Sequence, residues 1–376
     1  MKLRQELLGK ATRIVIKLGT GLLTDAQNHL SAPHIEQLVS QIAALHAQKK
    51  QIIIVTSGAI GAGMAELELK QRPKRLDELQ AAAAIGQSKL MAVYDKLFGK
   101  HGITVAQILL THEDLKHRTR HVNAHNTVTT LLARGVVPII NENDTVAVEE
   151  IKFGDNDRLG ALTATLIDAD LLVILSHVEG LYRRVVGRMT SRGEGLSGAP
   201  AEGSGPATEV IRTVAEITRE IESLAGGTDR VTSVGGMKSK IDAAKIVTRA
   251  GIPMIIANGE RPNVLADALA GEEVGTIFLP KAGKLESRKR WIAFFQKPTA
   301  ALIVDEGAKH ALCANGKSLL ANGVIRIDGQ FARGDVVSIR DKNAVEFARG
   351  LAKVGGGEEL EIETGVIVHH NDLVVL

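Results

Sequence analysis

Short aliphatic runs recur along the first two thirds of the chain: Arg13–Leu18, Gln51–Thr56, Ile103–Leu110, Val136–Ile140, Leu171–Leu175, Ile252–Ala257 and Thr276–Leu279. They are largely apolar on both faces, which is the pattern of strands in a parallel sheet covered by helices. Between them lie stretches with helical character: Pro33–Lys49, Leu76–Lys100, Val122–Arg134, Arg158–Ala169, Thr208–Leu224, Met237–Ala250 and Pro262–Ala270. Strand and helix alternating at this spacing predict a three-layer αβα sandwich with a mostly parallel sheet.

The pattern then changes. Lys281–Lys297 is charge-rich and non-periodic, and reads as a linker. After Pro298 come short strand-like runs, Ala301–Val304, Gly323–Ile327, Val336–Ile339, Glu346–Gly350, Gly365–Val368 and Leu373–Leu376, separated by turn residues such as Asp328-Gly329 and Arg333-Gly334-Asp335. This predicts a small β-rich domain. The expected organisation is an α/β domain over 1–280, a linker over 281–297 and the β-rich domain over 298–376. On that division, a chain ending at Pro280 is expected to fold alone; the alternative is that Trp291 and Phe294-Phe295 bury against the α/β core, so that truncation unfolds it. Gly187–Pro206, rich in Gly, Ser, Ala and Pro, reads as a mobile loop, and no internal repeat is visible.

Composition adds limits. The chain has 376 residues, enough for more than one domain at roughly 150 residues each. With 46 basic against 43 acidic residues, net charge alone argues for neither nucleic acid nor an anionic membrane. A single cysteine, Cys313, excludes an internal disulfide framework and suits a reducing compartment; it reads as a small core residue. A polar start and the lack of a long apolar run predict a cytoplasmic protein with no membrane partner.

Chemistry gathers at the ends of the predicted strands. Lys17 closes the first, followed by Gly19-Thr20-Gly21, and ligands of open α/β sheets bind beyond such ends. Glycine lets backbone N–H groups approach an anion, although a lysine there could simply reach water. Thr56-Ser57-Gly58-Ala59-Ile60-Gly61 opens a helix and could bind an anion at its N-terminus; it lacks the dinucleotide-binding spacing and could equally be a packing turn. Asn141-Glu142-Asn143-Asp144 and Gly154-Asp155-Asn156-Asp157 each sit at an element end, where caps and turns use the same residues. Together the two clusters could bind an ammonium group, orient lysines or hold a hydrated Mg²⁺. Gly235-Gly236-Met237-Lys238-Ser239-Lys240 puts lysines in a first helical turn, where a cation is disfavoured unless an anion sits between it and the helix end.

Other patterns are weaker. His117, His121 and His125 share helical spacing, but their charged neighbours favour a solvated face over a zinc site. Ala311–Ser318 ends in Gly-Lys-Ser, yet has Ala311 where a phosphate loop needs glycine.

Taken in order, Ile16-Lys17-Leu18-Gly19-Thr20, Val55–Ile60, Pro138–Asp144, Gly154–Asp157 and Gly235–Lys240 resemble the glutamate 5-kinase family of the amino acid kinase superfamily. The tail, with Val304–Ala308 and Phe331–Asp335, resembles the PUA domain that bacterial members often append. The resemblance implies ATP-dependent phosphorylation of the L-glutamate γ-carboxylate, the first step of proline synthesis, with Mg²⁺ on the phosphates. It implies Lys17 and Lys240 as catalytic cations, Asp157 as the residue orienting them, and Ser57, Asp144, Asn156 and Asp155 around glutamate. ATP would meet Lys17, Gly19, Thr20, Ser176, His177, Gly235, Gly236, Met237, Lys238, Ser239 and Lys240. L-proline as feedback inhibitor and a homo-oligomer, dimer or tetramer, belong to the same expectation. RNA is an open ligand for the tail.

One segment departs from the family pattern. Where relatives carry Thr-Asp and, after Gly-Leu-Tyr, Asp-Pro, this chain reads Ser176-His177-Val178-Glu179-Gly180-Leu181-Tyr182-Arg183-Arg184. The change falls on the side that borders the nucleotide. Competing readings are another amino acid kinase and an impaired kinase scaffold with an RNA-binding or regulatory role. The complete set of charged candidates and the scarcity of aromatics in the tail favour catalysis.

Overall fold

The computed structural model describes residues 2–25, 29–147, 156–184, 208–225, 236–281, 287–357 and 365–376. By contact the chain divides into two units: Met1–Thr111, Thr127–Thr248 and Ile252–Lys281 form one, and His112–Asn126, Arg249–Gly251 and Ala282–Leu376 the other.

The first unit is built on an eight-stranded sheet. Its strands are β1 (Arg13–Leu18), β2 (Gln51–Val55), β3 (Val105–Leu110), β4 (Val137–Glu142), β5 (Leu171–Ser176), β8 (Thr213–Val214), β9 (Met254–Asn258) and β10 (Thr276–Phe278), in the order β3-β4-β2-β1-β5-β9-β10-β8. A separate ribbon pairs β6 (Leu181–Arg184) with β7 (Thr208–Ile211) antiparallel. The main sheet is parallel except where β10 runs antiparallel to β9. Ile14, Ile16 and Leu18, with Ile52, Ile54, Val173 and Leu175 beside them, are fully or almost fully buried, so the aliphatic runs fill the core. β3 is an edge strand and is only partly covered.

The helices of this unit include α1 (Lys2–Leu8), α2 (Thr20–Leu23), α3 (Ala32–Ala47), α4 (Ala59–Glu66), α5 (Leu76–Gly99), α8 (Asp157–Leu166), α9 (Arg219–Leu224), α10 (Gly236–Arg249) and α11 (Val264–Leu269). The buried guanidinium of Arg4 on α1 donates to the carbonyl oxygens of Glu272 and Val274 at 2.8 and 2.9 Å, and to that of Arg212. Helices α4 and α5 share a small apolar cluster of Ile60, Met64, Leu79, Ala82 and Ala83, and their backbones meet closely at two glycines. A Cβ on Gly63 would lie 1.7 Å from the Ala82 carbonyl oxygen, and one on Gly86 1.8 Å from that of Ala59.

Thr208–Leu224, expected as one helix, is helical only over Arg219–Leu224. Its first half holds the β-branched Thr208, Val210, Ile211, Thr213 and Val214, and pairs as β7 and β8 instead. Gly187–Pro206, expected as a loop, lies outside the described residues.

The second unit carries a six-stranded sheet of β11 (Ala300–Val304), β12 (Leu319–Leu320), β13 (Val324–Asp328), β14 (Val336–Arg340), β15 (Glu346–Ala352) and β16 (Val366–Val375), ordered β12-β16-β15-β14-β11-β13. The last two expected strands are one, β16, with a register shift that lets Ala352 face Val368 while Gly350 faces Leu373. The described part of the expected linker is folded: α12 (Ser287–Arg290) runs into a π-helical turn, Trp291–Phe295, with Ile292, Ala293 and Phe295 buried. The apolar run Trp-Ile-Ala-Phe-Phe explains this, because such residues gain by burial whatever the charge of their neighbours.

Within this unit α6 (His112–Lys116) and the start of α7 (Arg118–Ala133) lie against that turn. His121 meets the Phe295 ring edge-on, with centroids 4.6 Å apart, the Arg118 guanidinium lies 6.0 Å from the Trp291 ring centroid, and the Gln296 amide donates to the Lys116 carbonyl. His121 bonds the Leu115 carbonyl and His125 the Asn126 side chain, so these histidines serve local structure. Cys313, expected in the core, is exposed on α13 (Glu306–Asn315), whose buried residue is the neighbouring Leu312. Gly316 caps that helix in the left-handed region at φ 57°, so the Gly-Lys-Ser sequence is a helix end. Among the described residues, no helix is long and apolar enough to cross a membrane.

Candidate active site

The carboxyl ends of β1, β2, β4 and β5 lie side by side in the sheet, because Lys17 is in register with Val55 and Ile174, and Val55 with Ile140. Sequence-remote residues are thereby brought to one edge. β2 and β5 flank β1 on opposite sides, which is where an open α/β sheet forms a crevice.

At that edge Asp157, the first residue of α8, is fully buried and holds two cations. Its Oδ1 is 2.6 Å from Lys17 Nζ, and its Oδ2 is 2.9 Å from Lys240 Nζ. Ser239 Oγ donates to Oδ2 at 2.9 Å. Both lysines are almost completely buried, one from β1 and one from the first turns of α10. Burial would push the Asp157 carboxyl up, but the two ammonium groups outweigh it and hold it below the ordinary carboxylate range. Two buried lysines thus share one buried carboxylate.

Beside it opens a polar pocket lined by Thr20, Ser57–Gly61, Arg72, Asn141, Asp144 and Asn156. Asn156 and Asn141 are locked together: Asn156 Nδ2 donates to Asn141 Oδ1 at 2.7 Å and to the Thr56 carbonyl at 2.6 Å, while Asn141 Nδ2 donates to Gln87 at 2.7 Å. Gly58 starts α4 at φ 97°, a left-handed backbone that a side chain would strain. Buried Ser57 Oγ has no hydrogen-bond partner among the described residues, so a ligand in the pocket would satisfy it. Asp144 is half-buried. Burial pushes its carboxyl up to about 6, with Arg72 pulling the other way.

The sequence-expected residues thus fall into neighbouring groups. Lys17, Asp157, Ser239 and Lys240 form the cation cluster, while Ser57, Asp144 and Asn156 line the pocket. Thr20, expected at the nucleotide, lines that pocket too. Gly19 follows β1 and donates to the Leu175 carbonyl; Ser176 ends β5, and His177 packs its ring against Gly21 with Nδ1 2.8 Å from Glu260. Gly236, Met237 and Lys238 open α10, with Lys238 exposed. Asp155 and Gly235 lie outside the described residues. Arg72 and Asn141 belong to the pocket without having been singled out individually. Arg72 sits in a connection whose sequence carries no motif, whereas Asn141 was legible as part of the Asn-Glu-Asn-Asp cluster.

The fold and the buried lysine–aspartate–lysine cluster define a phosphotransferase of the amino acid kinase class, and a model of the amino acid kinase family matches residues 12–186. A PUA domain model matches 300–372. The chain belongs to the amino acid kinase family, in its glutamate 5-kinase branch. It is 43% identical to the glutamate 5-kinase of Pelobacter propionicus and 44% identical to that of Geobacter sulfurreducens, with all of both chains covered in each comparison. It is 44% identical to that of Moorella thermoacetica over 98% of this chain and 97% of the relative.

Proposed function

We propose that the chain transfers the γ-phosphoryl group of ATP to the γ-carboxylate of L-glutamate, giving γ-glutamyl phosphate. The observation that carries this reading is Asp157 holding Lys17 and Lys240 together, buried, next to a polar pocket. The attacking carboxylate is already ionised at neutral pH, since a glutamate side chain titrates near ~4.3, so no general base is required. What the reaction needs is alignment of an anion with a polyanion and neutralisation of charge on the moving phosphoryl. Lys17 and Lys240 supply that charge, and Asp157 fixes where they point. Ser57 and Asn156 hold glutamate by hydrogen bonds, and Asp144 meets its ammonium group. Ser239 completes the cluster, and Gly19 and Gly236 leave room for phosphate oxygens.

Mg²⁺, when bound with the nucleotide, supplies further neutralisation on the phosphates. Among the described residues no group of three or more His, Cys, Asp or Glu side chains could cage a metal ion. L-proline as an inhibitor at the glutamate pocket and a homo-oligomeric assembly are parts of the same proposal, as is a cytoplasmic location. The test is hydroxylamine trapping: purified protein with ATP, Mg²⁺ and glutamate should form γ-glutamyl hydroxamate, and omission of either substrate should abolish it. A preparation that releases ADP without forming hydroxamate would sink the reading.

A further inference from the structure

Among the described residues lining the pocket beside the lysine pair is a cation. Arg72, from the connection between α4 and α5, lines it together with Asp144, Ser57 and Asn156. The two charged side chains act on each other electrostatically, each shifting the other's titration. An opposite-charge pair in one small pocket matches a ligand that itself carries both charges on neighbouring atoms. An α-amino acid has that arrangement at its Cα end.

We propose that Arg72 is a specificity-determining residue that binds the α-carboxylate of the amino-acid substrate while Asp144 takes its α-ammonium. The inference deepens the proposed glutamate phosphorylation and rests on it. Asn156 lines the pocket and its chain neighbour Asp157 anchors both lysines, so a substrate fixed by its Cα end projects its side-chain carboxylate towards the phosphoryl site. Arginine suits the task because its planar fork binds a carboxylate through two parallel N–H donors. The pair would discriminate against acids that lack either charge: removing the α-carboxylate forfeits the contact with the guanidinium, and acylating the amine forfeits the contact with Asp144.

The experiment compares L-glutamate with its α-amide, in which the γ-carboxylate is free and the α-carboxylate neutral, by ADP release at saturating ATP. For the unmodified protein kcat/KM should favour glutamate by a factor on the order of 10–100, the size expected for a lost charge-assisted hydrogen bond. In Arg72→Gln the glutamate value should fall by a similar factor and the amide value should hardly move, so that the preference approaches unity. Arg72→Lys, which keeps the charge and loses the fork, should lie between. The ATP KM and the thermal midpoint should stay close to those of the unmodified protein in both variants. An undiminished preference for glutamate in Arg72→Gln and Arg72→Lys would overturn the proposal while leaving glutamate phosphorylation intact. Absence of any glutamate-dependent hydroxamate from the unmodified protein would overturn the parent reading instead.

Discussion

Lys17 Nζ stands 2.6 Å from Asp157 Oδ1, an ion pair closed off from solvent at the end of the central strand. Lys17 is therefore held ready before any ligand arrives. Lys17→Ala should lower kcat by a factor on the order of 10²–10³, the cost of losing one preorganised charge donor. Glutamate KM should change less, because the ammonium group acts on charge that develops during transfer. Steady-state kinetics with both substrates varied checks this, and near-normal kcat would remove Lys17 from catalysis.

Asp157→Asn keeps the shape and removes the charge that two buried lysines share. Breaking a buried ion pair by removing one partner costs roughly 3–5 kcal/mol. Both activity and stability should therefore fall, which separates this variant from a purely catalytic one. The unmodified protein should show the same dependence through pH. The folded-state value of Asp157 lies below its ordinary 3.8, so its contribution is fully present above about pH 4 and is lost as pH falls towards about 2. Chemical denaturation between pH 6 and 3 should show a loss of stability at the acid end that is much smaller in Asp157→Asn.

Asp144 titrates in the opposite sense. Burial raises it to about 6, so in the empty protein it loses its charge as pH drops through that value. An ammonium ligand needs the ionised form. The kcat/KM for glutamate should accordingly decline below about pH 6, and Asp144→Asn should give a low, flatter profile. The matching profile for ATP, measured at saturating glutamate, should not share the change.

Gly63→Ala tests the wall behind the pocket. The new methyl would meet the Ala82 carbonyl at 1.7 Å, so α4 must move away from α5. Gly58–Gly61, at the start of α4, line the pocket and would move with it. The thermal midpoint should drop and glutamate KM should rise more than ATP KM.

A chain ending at Pro280 should not behave as an independent unit. It retains His121, Arg118 and Lys116 but lacks Phe295, Trp291 and Gln296, which they meet. Each aromatic removed forfeits roughly 1.5–3 kcal/mol of burial. Aggregation or non-cooperative unfolding is expected; a cooperative transition with full activity would show the turn to be dispensable.

Much of this was legible in the chain. Buried strands announced themselves through runs such as Ile14–Ile16 and Ile52–Val55, since a strand covered on both faces needs no polar alternation. Lys17 and Lys240 stood out because a charge at a strand end or in a first helical turn needs a partner. Their shared partner Asp157 was harder to distinguish, because a first-turn aspartate is ordinary helix chemistry. Arg72 gave no local signal at all; only the meeting of the α4–α5 connection with the Asp144 turn makes it part of a pocket. β7 and β8 were hidden for a related reason, because short edge strands are defined by the partners they pair with. Trp291–Phe295 supported two readings, part of a charged linker or a buried aromatic patch, because the charges of Arg288–Arg290 stand directly before the apolar run.

Arg4 carries a consequence for the order in which the protein can be completed. Its guanidinium donates to carbonyl groups of Arg212, Glu272, Val274 and Gly275, the last of them 271 positions downstream. At roughly 5–20 residues per second of synthesis, that charge waits tens of seconds on the ribosome before its acceptors exist. Helix α1 cannot reach its final bonding until the strand β10 region has emerged, so the first helix made is among the last elements of its unit to be secured.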